Sequence, residues 1–190
     1  MEFAIISEDL MRSPSQFQCV DNREFLYNTN SYLPISSVNP IKWADDNIPS
    51  TYVHPIADNG DICITKDLAD IIMSFDPYGI EIYPASLITQ DNELSNRYIL
   101  AINNIQDVAD FARSAIEVSE NTGNLIIHRL FLSADKLANI PLEKRIIYRV
   151  KGADTAVFFA PEIYDLIAND DRFSLLRKMK KNTSVRAPKF

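Results

Sequence analysis

Residues 61–104, DICITKDLADIIMSFDPYGIEIYPASLITQDNELSNRYILAINN, decide the fold. They read as strand, helix, strand, turn, strand. Leu68, Ile71, Ile72 and Phe75 recur at i, i+3, i+4 and i+7, the spacing of one buried helix face. Thr65 stands where an N-cap belongs, and Asp67 in the first turn suits the positive end of the helix dipole. Asp76-Pro77-Tyr78-Gly79 stops the helix. Ile80 and Ile82 then alternate, and Pro84 predicts that this strand ends there or lies on an edge. The chain turns over 91–96, and Tyr98, Leu100 and Ile102 alternate on the return. The unit is a hairpin with a helix at its entrance.

Outward from this unit the pattern is shorter-ranged. Residues 3–6 (FAII) predict a strand, and 7–17 a turn around Pro14. Residues 24–27 and 32–35 are further candidate strands. From 36 to 60 no period of 2 or 3.6 is sustained, and Pro40, Pro49 and Pro55 interrupt it. That stretch reads as a long irregular connection, a type that is usually functional or mobile. After the hairpin, 105–114 predict a turn or short helix, and 115–132 two strands about Asn121-Thr122-Gly123-Asn124. Ser133 starts a short helix that stops at Pro141. Residues 145–151 form a strand ended by Gly152, and 155–159 another. Pro161 then occupies a first helical position, with Ile163, Leu166 and Ile167 facing inward. Leu175, Leu176 and Met179 predict a final helix, followed by a frayed basic tail at 182–190.

Together these elements predict one α+β domain over 1–181, a mainly antiparallel sheet with short helices packed on one side. One internal echo appears at an offset of 95: ICITKDLADII (62–72) against VFFAPEIYDLI (157–167). Apolar positions coincide throughout, but only Asp70/Asp165 and Ile72/Ile167 are identities. Two strand–helix units of similar pattern account for it.

A chain of 190 residues with ordinary apolar content buries enough surface to need neither disulfide nor metal. Cys19 and Cys63 fit no zinc or CxxC spacing and read as reduced thiols. No basic leader with an apolar run precedes the domain, and no segment approaches a membrane span, so the expectation is a cytoplasmic protein without membrane contact. The net charge of −7 is unevenly placed: every one of the 26 acidic residues lies at or before Asp171, while seven of the 19 basic residues follow it. Residues 1–171 therefore carry −14, a field that repels nucleic acid and speeds encounter with a basic partner.

Residue chemistry shows no catalytic constellation. The four glycines are isolated, so no phosphate-cradling loop exists. Neither His54 nor His128 has a second ligand at metal spacing, so no metal or other cofactor is implied. His54 reads as a solvated loop residue and His128 as a half-buried strand residue. The close carboxylate pairs, Asp107 with Asp110 among them, suit Asx-type turns. Trp43, in the irregular connection beside Asp45 and Asp46, admits two readings: a plug onto the core, which its size favours, or an interface anchor.

The order of the pieces is informative. Trp43 precedes a Pro-rich acidic link, then ITKDLADII, IEIYPA, RYILAI, IQDVADFARS, LFLSADKL, RIIYRV and VFFAPEIYDLI. This succession, over roughly residues 40–170, resembles the bacterial immunity-protein family numbered eleven. The resemblance implies an immunity protein of a polymorphic toxin system used in interbacterial competition. Such a protein binds a cognate toxin domain and blocks it, and it carries no catalytic residues. On that reading the partner is a basic toxin domain, and the expected binding residues are Trp43, Asp45, Asp46 and Asp58 in the irregular stretch, with Asp91 and Glu93 at the hairpin tip. The alternative is a small hydrolase or transferase using carboxylates, or a Cys19/His54 or Cys63/His128 pair brought together in space.

Overall fold

The computed structural model describes residues 1–9, 11, 15–20, 37–118, 125–182 and 184–185. The candidate strands at 24–27 and 32–35 lie outside the described residues, as does the turn at 121–124. The chain opens with β1 (Glu2–Ser7), followed by β2 (Gln18–Cys19) and β3 (Ile41–Asp45). Then come β4 (Ile56–Asp58), β5 (Ile62–Thr65), α1 (Lys66–Met73), β6 (Ile80–Thr89) and β7 (Glu93–Ile102). The middle of the chain holds β8 (Ile105–Gln106), β9 (Ala115–Val118), β10 (Leu125–Phe131) and α2 (Ala134–Ala138). It closes with β11 (Ile147–Val150), β12 (Ala153–Phe159), α3 (Pro161–Ile167), β13 (Arg177–Asn182) and β14 (Ser184–Val185).

Among the described residues three sheets form: β2-β3-β6-β7-β5-β4, β13-β1-β12-β11-β8 and β14-β10-β9. The larger two are mixed rather than purely antiparallel, because β3 runs parallel to β6 and β8 parallel to β11. The α+β class holds at that coarser level. The two large sheets share one central cluster, in which Leu68, Ile72, Ile163 and Ile167 of α1 and α3 meet Ala4, Ile6, Ile62, Ile64, Leu100 and Phe159. Successive strand side chains point to opposite faces, so Cys63 and Ile99 serve a second cluster behind the six-stranded sheet. Phe3, Tyr148 and Phe158 serve a third behind the five-stranded sheet, joined there by Leu137 of α2. Helices therefore cover both faces of that sheet, not one side. Burial on both faces explains why ICIT and YILAI read as continuous apolar runs.

The opening unit forms largely as its sequence implies, with Leu68 and Ile72 fully buried and Ile71 and Phe75 packed at the margin. Three details differ. Thr65 occupies the N-cap position, but its hydroxyl makes no cap hydrogen bond. The hairpin turn is tighter than 91–96, since Glu93 already pairs with Ile88 and Asn96 sits inside β7 at a bulge, with φ of 60°. β6 runs on through Pro84 and is central. β3 joins it only from Ala85 onward, so at Pro84 the strand is locally an edge where a missing N–H is tolerated. Gly79 has φ of 67°, and a Cβ there would meet Asn104 N at 3.2 Å, so the turn into β6 requires glycine.

Two further expectations are corrected. Residues 36–60 are not irregular throughout: they hold β3, a 3-10 turn at Ser50–Tyr52 and β4. The expected final helix is instead β13, which pairs with all six residues of β1 from Glu2↔Asn182 to Ser7↔Arg177. Phe173 and Leu176 are buried before it starts. A strand carrying Arg177, Lys178, Lys180 and Lys181 suits a sheet edge, where charge discourages further pairing. The chain also pairs beyond residue 182, where β14 meets β10 at Leu130↔Val185.

The echo at offset 95 extends to topology. β5, α1 and β6 make a crossover whose two parallel strands are separated by antiparallel β7, with β4 flanking β5. β12, α3 and β13 repeat that arrangement with β11 flanking, but the inserted strand is β1, from the other end of the chain.

Candidate partner-binding face

The structure brings four of the six expected binding residues to one end of the six-stranded sheet, where β3 ends beside the β6–β7 turn. Asp45 pairs in register with Thr89, and the Gln90 N–H donates to Ile48 O at 3.0 Å. This stitches the loop after β3 to the hairpin tip. Asp91 tightens the junction further: its carboxylate accepts from Ser50 N (2.7 Å), Ser50 Oγ (3.1 Å) and Thr89 Oγ1 (3.1 Å). Those bonds, the Ser50 N–H first among them, hold its pKa below the ordinary carboxylate value. Glu93 accepts from Lys42 Nζ at 3.0 Å and Ser86 Oγ at 2.8 Å, which lower its pKa in the same way. Both carboxylates are exposed, ionised and fixed in place.

Trp43 does not belong to this surface. It is 2% exposed and packs with Phe17, Ile41, Leu87 and Ile99 in the cluster behind the sheet. The core-plug reading is right and the anchor reading is corrected: the side chain sits on the inward face of a strand paired on both sides. Asp45 is corrected likewise. It is 8% exposed, and its carboxylate accepts from Gln16 N at 2.8 Å and Asn47 N at 3.1 Å, tying the turn after β3 to the segment leading into β2. Asp46, one residue on, is exposed.

Asp58 lies apart from the others. It pairs with Ile62, which in turn pairs with Leu100, seven residues along β7 from Glu93. At about 3.3 Å per residue that places it roughly 23 Å from the hairpin tip, toward the opposite end of the sheet. There the Asp58 N–H donates to Glu8 Oε2 at 3.2 Å, while its carboxylate accepts from Gly60 N at 2.8 Å. Glu8 is 5% exposed and is also held by the Ser15 hydroxyl. Burial raises its carboxyl to about 6, and loss of hydration also raises that of Asp58, partly offset by the Gly60 N–H bond and then by the charge of Arg149. Arg149, on β11, is itself 2% exposed. The Glu8–Asp58 hydrogen bond therefore ties β4 of one large sheet to the end of β1 in the other.

A residue that sequence reasoning passed over completes the face. Tyr52, two positions beyond the Asp91-bound Ser50, is 61% exposed. Pro49 followed by a three-residue 3-10 turn displays it, a signal present in the PSTY sequence but lost in a stretch read as irregular. The exposed face is thus Asp46, Tyr52, Asp91 and Glu93.

The residues named for the enzyme alternative lie in different elements: Cys19 on β2, His54 just before β4, Cys63 on β5 and His128 on β10. Cys63 is fully buried on β5, and burial pushes its thiol up to about 12, so it stays protonated at neutral pH. His128 is exposed, not half-buried. It belongs to the three-stranded sheet, where its Nε2 lies 2.9 Å from Glu117. His54 is 2% exposed rather than solvated, and its carbonyl accepts from Arg97 at 2.8 Å. Asp107 pairs with Lys136 and Asp110 accepts from Arg113 N, a turn-holding role. Among the described residues no group of three or more His, Cys, Asp or Glu could hold a metal ion.

The basic run is largely occupied by the fold. Lys178 Nζ donates to the carbonyls of Ile167, Ala168 and Phe173, Lys180 pairs with Asp165 at 2.6 Å, and Arg172 bridges Asp67 and Asp170. No helix is long and apolar enough to cross a membrane. A scan of the chain against protein-family models finds no match, and no curated protein matches it.

Proposed function

We propose that this chain is an immunity-type binding protein that neutralises a basic toxin domain by covering its active site. The observation that carries the reading is a rigid acidic end of the six-stranded sheet, with Asp91 and Glu93 fixed by hydrogen bonds and exposed Tyr52 and Asp46 beside them. An aromatic within a charged surround has the makeup of an interface hot spot, and preorganised carboxylates lose little entropy on docking. The −14 carried by residues 1–171 would steer a cationic partner toward it. The order of motifs along the chain, which resembles the immunity family, supports the same class.

The test is affinity for the toxin encoded beside this chain's gene, measured at low and at physiological salt. Binding that weakens with salt, and that Tyr52→Ala and Asp46→Asn each weaken by about tenfold without loss of stability, is the expected result. Absence of binding at micromolar concentration in low salt refutes the proposal. Binding indifferent to both substitutions moves the interface elsewhere.

A further inference from the structure

A pocket of about 170 Å³ opens where the start of β1, α2, β11 and the start of α3 converge. Its composition is ordered by depth. Tyr148, 2% exposed, lines it, and its buried phenol oxygen has no hydrogen-bond partner. Arg145 also lines it, and its buried Nε is equally unpartnered. Among the described residues the guanidinium contacts the sulfur of Met1 at 3.7 Å and takes part in no ion pair. Both side chains line the same pocket, and the charge of Arg145 acts on the Tyr148 phenol. Phe3, Leu137 and Phe159 supply apolar wall, while Glu2 and Glu162, both exposed, stand at the rim.

Two buried donor atoms without acceptors in one cavity, the Tyr148 hydroxyl and the Arg145 Nε, are costly to strip of water unless something accepts from them. The phenol cannot serve by ionising, because burial drives its pKa upward. No acceptor among the described residues meets either atom, which leaves both open to a ligand. A carboxylate suits a guanidinium beside a phenol, accepting from both. The apolar wall asks for a hydrocarbon body, and the acidic rim favours a cation and disfavours a simple anion.

We propose that this pocket binds a small zwitterion, an α-amino acid with an apolar side chain. Its carboxylate accepts from Tyr148 and Arg145, and its ammonium faces Glu2 and Glu162. The volume agrees, since cavities of about 150 Å³ hold a benzene-sized guest. The site lies on the five-stranded sheet, away from the acidic face of the six-stranded one, and does not depend on the toxin-binding proposal.

The full chain is titrated calorimetrically with leucine, with its des-amino analogue 4-methylpentanoate, and with the corresponding amine. Leucine is expected to bind at millimolar concentration or better, and both analogues at least tenfold more weakly. Tyr148→Phe keeps the ring and removes only the unpartnered hydroxyl, so it should leave the unliganded fold intact while weakening leucine about tenfold. Glu162→Gln, at an exposed position, should narrow the gap between leucine and 4-methylpentanoate. Failure of leucine, valine and methionine to bind at millimolar concentration overturns the proposal. So does leucine binding that Tyr148→Phe leaves unchanged, which would mean that only water meets these donors.

Discussion

Glu8→Gln tests the account of the joint between the two large sheets. Glu8 is 5% exposed, its two oxygens accept from the Ser15 hydroxyl and the Asp58 N–H, and burial raises its carboxyl from 4.5 to about 6. A glutamine keeps most of the geometry: its carbonyl accepts from the Asp58 N–H and its amide donates to Ser15 Oγ, once that hydroxyl rotates, at the loss of a weaker bond from the Ser15 N–H. What disappears is the buried charge. Because the folded state holds the Glu8 proton more tightly than the unfolded chain, the group costs no stability below about pH 4.5 and becomes destabilising as pH rises through 6. A shift of roughly 1.5 units at 1.36 kcal/mol each gives an upper limit of about 2 kcal/mol. Urea unfolding of both proteins from pH 4.5 to 7.5 reads it directly. The variant should match the wild type at the acid end and exceed it by up to about 2 kcal/mol at pH 7, or roughly 4–8 °C in Tm. A variant less stable than the wild type at pH 7, or a difference that stays flat across the range, would refute the reasoning.

Other substitutions probe the remaining joints. Trp43→Ala should cost about 3–5 kcal/mol in chemical denaturation, as loss of a large core aromatic does; a neutral effect would return this residue to the surface. Gly79→Ala should cost about 1–3 kcal/mol, because alanine must adopt a left-handed backbone against Asn104. Asp91→Ala should free the Ser50 turn, seen as faster amide exchange at Ser50, while leaving global stability nearly unchanged, since its partners can turn to water.

The hairpin and its helix were legible because each local signal agreed: period 3.6 at Leu68, Ile71 and Ile72, a DPYG stop, and period 2 at Tyr98, Leu100 and Ile102. Ser133 as an N-cap and Pro161 as a first helical residue were readable for the same reason, since their effect is confined to one turn. The candidate site was legible only in part. IKWAD does alternate, but Asp45 breaks the apolar pattern at an inward position, and backbone N–H groups from residues 16 and 47 make that burial tolerable. β13 was misread because Leu175 and Met179 are spaced like a helix face. What overrides that spacing is β1, 170 residues away, whose free edge takes β13 as its partner.

By itself the sequence determined the local units: the strand–helix patterns at 62–72 and 157–167, the turns, and the acidic body. Their assembly was decided only in three dimensions. The first unit receives its inserted strand from the adjacent β7, whereas the second receives it from the start of the chain, a pairing with no local signature. The same physics governs the surface. Which acids are exposed, and which are spent holding turns or joining sheets, depends on the N–H groups that distant segments bring to them.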